Sequence, residues 1–201
     1  MPVVTPLSSG PTSKTGLLLA SLEGNPFAWS LCKHSRTMSL CTRFEIRATE
    51  DRLLMLRLIT HSFDVRHMPQ GCATWPAIWE AGLTNWPYQG EVDILEGTND
   101  AGPNRMTLHT SDGCTMPVNP GQTGTTLSTD CNAFVNGNAG CSVADTRGNS
   151  YGPSLNNNGG GWFAMERTDS FIKVWFWPRN GGPPSDVQNG SGQINTNNWV
   201  S

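Results

Sequence analysis

Apolar and polar positions alternate with two textures along the chain. Leu53-Leu54-Met55-Leu56-Arg57-Leu58-Ile59 is a short, nearly continuous apolar run that fits a buried strand or a helix, and periodicity does not choose between them. From Phe63 onward, short apolar stretches are punctuated by Gly, Pro, Asn and Asp without a helical period, which predicts an all-β region. In Trp75-Pro76-Ala77-Ile78-Trp79, strand alternation puts Trp75, Ala77 and Trp79 on one face, and Pro76 marks an edge or a bulge. In residues 171–177, β-branched and aromatic side chains occupy both parities, so both faces of that strand are covered, as in a two-layer sandwich. Trp162 and Trp175 are assigned to the core, and the tracts 156–161 and 180–184 to loops.

Composition agrees with this reading. With 22 Gly, 14 Pro and only 14% charged residues, turns are plentiful and helix formers scarce. Eight Trp against two Tyr is more indole than a core of this size readily buries, so some rings are expected to line a surface. A net charge of −3, with 13 thinly spread basic residues, supplies no footprint for nucleic acid or an anionic membrane. No stretch approaches the roughly 18 apolar residues of a membrane span.

The six cysteines, at 32, 41, 72, 114, 131 and 141, include no CxxC pair, which argues against structural zinc, and no metal or cofactor is expected. Disulfides in an oxidising compartment are the favoured use, with buried free thiols as the alternative. Cys131 and Cys141 bracket a Gly/Asn-rich loop and form the first candidate pair. The apolar run at Leu17–Ala20 is too short for a secretory signal, so the expectation is that export, if it occurs, uses residues outside this chain, or that the protein is not exported.

The densest chemistry lies in Gly90-Glu91-Val92-Asp93-Ile94-Leu95-Glu96-Gly97. Strand periodicity places Glu91 and Asp93 on one face and Val92 and Ile94 on the other, while Glu96 falls on the wrong parity. A β-bulge at Ile94-Leu95 would bring Glu96 back to the face of the other two acids. From Glu91 to Glu96 the strand spans roughly 16 Å, less a few ångströms for the bulge. Side chains reaching back roughly 4 Å each could bring the carboxyl groups to about 5–6 Å. Retaining glycosidases hold theirs about 5–5.5 Å apart, so the spacing permits that chemistry. Three neighbouring acids repel one another and should raise at least one pKa. From spacing alone, an ordinary solvated acidic face remains open.

The run resembles the E-x-D-x-x-E signature of glycoside hydrolase family 16. The segments His67–Trp79, Leu108–Cys114, Gly161–Arg167 and Ile172–Arg179 resemble its fungal endo-1,3(4)-β-glucanase (laminarinase-like) branch, over about residues 63–187. The resemblance implies a β-jelly-roll, concanavalin A-like sandwich with a glucan cleft on its concave sheet. It implies Glu91 as nucleophile, Asp93 as the assisting carboxylate and Glu96 as acid/base. Trp75, Trp79, Trp86 and His109 become substrate-binding residues. It further implies an extracellular monomer whose partner is a β-glucan, with transglycosylation or non-catalytic glucan binding as the competing functions. Residues 1–62 read as an atypical segment before a catalytic domain at 63–201, and the sandwich is expected to lack strands at both ends.

Gly148-Asn149-Ser150-Tyr151-Gly152 also fits the G-x-S-x-G nucleophile elbow, but Pro153 and an Asn/Gly tract follow where that motif needs a helix.

Overall fold

Alternating apolar positions pair the strands into two stacked antiparallel sheets. The structure, a computed structural model, describes residues 60–82, 85–191, 194–197 and 199, together with the backbone of the strand residues among 19–59 named here. In chain order the strands are β1 (Leu19–Ala20), β2 (Phe27–Ser30), β3 (Lys33–His34), β4 (Ala48–Glu50), β5 (Ile59–Val65), β6 (Thr74–Trp75) and β7 (Ala77–Gly82). They continue with β8 (Glu91–Glu96), β9 (Arg105–His109), β10 (Thr125–Ser128), β11 (Cys141–Ala144), β12 (Gly161–Arg167) and β13 (Ile172–Pro178). The large sheet runs β1-β2-β7-β8-β9-β11-β10, the second β13-β12-β5-β4, and β3 pairs with β6. This is a β-jelly-roll sandwich.

The core lies between the sheets. Ile78 of β7 and Val92, Ile94 and Leu95 of β8 meet Phe63 and Val65 of β5, Phe163 and Met165 of β12 and Phe176 of β13. Each such side chain, once fully buried, contributes about 1.5–3 kcal/mol. One charged pair crosses the same interior: Arg167 donates to Glu80 Oε1 at 2.6 and 3.1 Å. Burial pushes the Glu80 carboxyl up and Arg167 partly offsets it. Burial first, and then the Arg167 charge, hold His61 down at about 4.

Strand β13 has both faces covered, as its sequence predicts. Ile172, Val174 and Phe176 face the core, while Trp175 and Trp177 each meet Trp199 edge-on at 5.0 Å. Trp162 and Trp175 are buried, with the Arg179 guanidinium 3.9 Å above the Trp162 ring. Pro76 separates β6 from β7, so the chain passes there from the two-stranded sheet to the large one.

Two short helices depart from the all-β expectation, α1 (Gly152–Asn157) and α2 (Ser185–Gln188). Pro153 stands at the start of α1, where its missing N–H costs no hydrogen bond, so the residue read as a breaker opens the helix. Strand β5 runs across position 62/63, the expected boundary between segments. Residues 53–58 of the ambiguous apolar run, most of the 1–62 segment, Cys32 and Cys41 lie outside the described residues.

Candidate active site

The bulge predicted for β8 is present. Pairing with β7 runs Ala81↔Glu91, Glu80↔Val92 and Trp79↔Asp93, then resumes as Ile78↔Leu95 and Ala77↔Glu96, leaving Ile94 as the extra residue. The slip restores parity: Glu96 shares the outer face with Asp93, Glu91 and, on β7, Trp79, while Ile94 and Leu95 both turn into the core. On the other side, β9 brings His109 opposite Glu91 and Thr107 opposite Asp93.

Two of the predicted aromatic residues hold the glutamates through their N–H groups. Trp75 Nε1 donates to Glu96 Oε1 at 2.8 Å, and Trp86 Nε1 donates to Glu91 Oε2 at 2.5 Å. Both indoles remain over 40% exposed, so their ring faces stay open to a ligand. Trp75 is placed by Ala73 N–H donating to Asn99 Oδ1 and by Asn99 N–H donating to the Thr74 carbonyl, which tie its loop to the turn after β8. Trp86 sits in the loop from β7 to β8, closed by Tyr88 N–H to Asn85 O and Gly90 N–H to Pro87 O. Trp79 is half-buried opposite Asp93.

Asp93 is the buried acid of the row, at 1% exposure, and His109 Nε2 lies 3.3 Å from its Oδ2. That contact is an ion-pair distance, without the alignment of a full hydrogen bond. Burial pushes Asp93 up to about 7; His109 opposes the shift, while the Glu96 and Glu91 charges add to it. Burial alone would lower His109, but the Asp93 contact and the negative charges of Asp93, Glu91 and Glu96 outweigh it and raise the imidazole. The crowding expected from three neighbouring acids thus adds to a shift at Asp93 whose first cause is burial.

Sequence reasoning missed three supports. Asn104, fully buried, accepts from Glu96 N–H and donates to the Ile94 carbonyl, each at 2.9 Å. Gly140, at φ +61°, leaves no room for a side chain: a Cβ there would lie 2.7 Å from the Leu108 carbonyl and 2.9 Å from His109 Nδ1. Gly97 lets the Tyr151 ring approach directly behind Glu96, where a Cβ would sit 2.6 Å from the ring. In a Gly-Pro-Asn turn, in a Gly/Asn loop or at the end of the acidic run these residues look like ordinary turn formers, so composition gave no signal.

The expected Cys131–Cys141 disulfide is formed, fastening β11 beside Gly140. Cys72 and Cys114 are free thiols. Ser150 of the G-x-S-x-G decoy is buried, accepting from Asn104 N–H and donating to the Arg147 carbonyl, so it holds the fold together.

Residues 55–201 match the family model described as XgeA-like, catalytic GH16 domain. The chain belongs to glycoside hydrolase family 16. It is 46% identical over 133 residues to a probable glycosidase of Schizosaccharomyces pombe, covering 65% of this chain and 31% of that protein. It is 47% identical over 123 residues to a probable endo-1,3(4)-β-glucanase of Aspergillus fumigatus, covering 61% of this chain and 18% of that one. The chain thus spans less than a third of either relative. Among solved structures it resembles laminarinase 16A of Phanerochaete chrysosporium, described with β-glucans in donor and acceptor sites. That match has 45% identity and a TM-score of 0.69, covering 88% of this chain and 59% of the other. An elongating family 16 β-1,3-glucosyltransferase matches at 35% identity and a TM-score of 0.59, covering 87% and 57%. Among the described residues no helix is long and apolar enough to cross a membrane.

Proposed function

We propose that the chain is an endo-acting hydrolase of β-1,3- or mixed β-1,3/1,4-glucans that retains anomeric configuration. The observation that carries this reading is the Ile94 bulge, which sets Glu96 on the face of Glu91 and Asp93, with one indole N–H on each glutamate. Glu91 attacks the anomeric carbon while Glu96 gives its proton to the departing glycosidic oxygen, forming a glycosyl ester on Glu91. Glu96 then takes a proton from water, whose oxygen attacks the same carbon and frees Glu91. Trp86 stabilises the negative Glu91 as it leaves. Asp93, holding a proton up to about pH 7, removes one negative charge from the row.

The exposed faces of Trp75 and Trp86, with Trp79 opposite Asp93 on β7 and His109 beside Asp93 on β9, supply a surface for the sugar rings. A β-glucan is the partner, met outside the cell by a monomer; the disulfide supports that compartment.

The test is release of reducing ends from laminarin or lichenan, with the β-anomer appearing first by NMR. Glu91→Gln and Glu96→Gln should each abolish turnover of glucan while the fold survives; unchanged rates in either would sink the assignment. The glucosyltransferase neighbour favours a second reading, in which a sugar hydroxyl replaces water in the second step. Longer products formed with added laminari-oligosaccharide would select it.

A further inference from the structure

We propose that Asn104 is a positioning residue for Glu96, its carboxamide replacing the strand hydrogen bonds that the β8 bulge would otherwise leave open. The proposal rests on the acid/base role given to Glu96 above.

The ladder between β8 and β9 ends before Glu96. Their pairing runs Glu91↔His109, Val92↔Leu108 and Asp93↔Thr107, then stops. Continued in the same register, it would put Asn104 opposite Glu96. The bulge prevents ordinary pairing there, since the extra Ile94 throws the remaining backbone groups out of phase. A buried N–H and C=O without partners would be costly, and β8 would lose definition at the residue that carries the acid.

Asn104 occupies the missing position with its side chain instead of its backbone. Oδ1 accepts from Glu96 N–H and Nδ2 donates to the Ile94 carbonyl, both at 2.9 Å, so one planar amide spans the bulge as a peptide unit would. Only one orientation of the amide serves both partners, which fixes its assignment. The Asn104 backbone is meanwhile turned to other partners: its N–H donates to Ser150 Oγ at 2.9 Å and its carbonyl accepts from Asp145 N–H at 2.9 Å. Every hydrogen-bonding group of the main chain and two of the side chain are engaged, and the residue is 0% exposed. Asn104 is therefore anchored independently of β8, and it holds the Glu96 backbone from the interior.

Glu96 itself receives a second restraint from outside, where Trp75 Nε1 meets Oε1 at 2.8 Å. The inner clamp sets where the side chain starts, and the outer contact sets where it ends. A carboxyl group that must deliver a proton to one oxygen depends on both, and displacement by about 1 Å can cost about 10²-fold in rate.

The experiment compares two substrates. Laminarin has a poor leaving group that needs the proton from Glu96, whereas a 2,4-dinitrophenyl β-glycoside of laminaribiose departs without one. Asn104→Ala should lower kcat/KM on laminarin by about 10²-fold and leave kcat/KM on the aryl glycoside, which reports only the first step, within about threefold of wild type; kcat on the aryl glycoside falls with the second step, where Glu96 is the base. Asn104→Ser keeps a neutral polar group but is too short to bridge Glu96 N–H and the Ile94 carbonyl. It should show the same split, and it serves as the second variant if the alanine protein folds poorly. Equal losses of kcat/KM on both substrates, or none on laminarin, would overturn the proposal.

Glu91→Gln must lose both substrates; a wild-type chain inactive on both would instead remove the proposed function. Hydrogen exchange decides the clamp without turnover. The Glu96 amide should be protected in wild type and exchange at least tenfold faster in Asn104→Ala, while Val92 is unchanged. A Glu96 amide that exchanges freely in wild type overturns the clamp.

Discussion

Trp75 donates its indole N–H to Glu96 Oε1 across 2.8 Å, so this tryptophan acts on a carboxylate as well as offering a ring to sugar. Trp75→Phe separates the two uses, keeping an aromatic face and deleting the donor. A hydrogen bond to a charged group is worth about 1.5–3 kcal/mol, which predicts kcat on laminarin lower by about 10- to 150-fold. KM should stay within about threefold, because the stacking surface persists. A raised KM with kcat intact would assign Trp75 to sugar contact alone.

The way the Glu91–Glu96 row was legible in sequence shows what pattern alone can carry. Period two and the misplaced Glu96 were enough to suggest where a bulge would fall, because parity is a property of neighbouring residues. The disulfide at Cys131 and Cys141 was legible for the same reason, as a local loop. Asn104 was not, since its partners lie across a sheet at Ile94 and Glu96, and an Asn after Gly-Pro reads as a turn residue. Trp75 and Trp86 are expected from the sequence as stacking rings; that their N–H groups face Glu96 and Glu91 depends on loop conformations that no spacing encodes. The helix at Gly152–Asn157 was missed because Pro153 was read as a breaker when it occupies the first turn.

Asp93 makes stability depend on pH in a direction that can be worked out. Its folded value of about 7 lies above the ordinary 3.8, so between them the native state holds a proton that the unfolded chain has released. Its contribution is full below about pH 4 and is lost as pH rises through about 7. Asp93→Asn cannot titrate, so urea unfolding should show the variant gaining on wild type between about pH 4.5 and 7.5. His109, also raised, pushes in the same direction above its ordinary 6.5. A difference that stays flat over this range would place the proton elsewhere.

The loop closed by Cys131 and Cys141 supports His109 from below through Gly140. Its sequence separation of 10 residues predicts that reduction, or Cys131→Ala with Cys141→Ala, costs about 3 kcal/mol. Gly140→Ala should cost about 1–3 kcal/mol, since the backbone is left-handed and the new Cβ meets the Leu108 carbonyl and His109. Denaturant titration measures both. If the alanine variant equals wild type in stability and in kcat, Gly140 does not set the imidazole.

Arg167 and Glu80 join the two sheets as an ion pair in the interior, with their side chains 21% and 4% exposed. Breaking such a pair from one side leaves a charge without compensation, so Arg167→Met should destabilise the protein by about 3–5 kcal/mol near neutral pH. The loss should shrink on acidification. Glu80 already has a raised carboxyl by burial, and without the guanidinium it takes up a proton still more readily in the native state. A raised folded value adds stability that is full at low pH and lost as pH rises, so the variant gains on wild type between about pH 7 and 4.5. His61 acts in the same sense, because the Arg167 charge helps hold it at about 4 and its removal lets the imidazole protonate at less cost. Glu80→Gln in the Arg167→Met background should recover much of the neutral-pH loss, and the double-mutant cycle isolates the pair from the other contacts of Arg167. A penalty equal at both pH values, with no recovery in the double variant, would mean that Arg167 stabilises the sandwich through packing and not through Glu80.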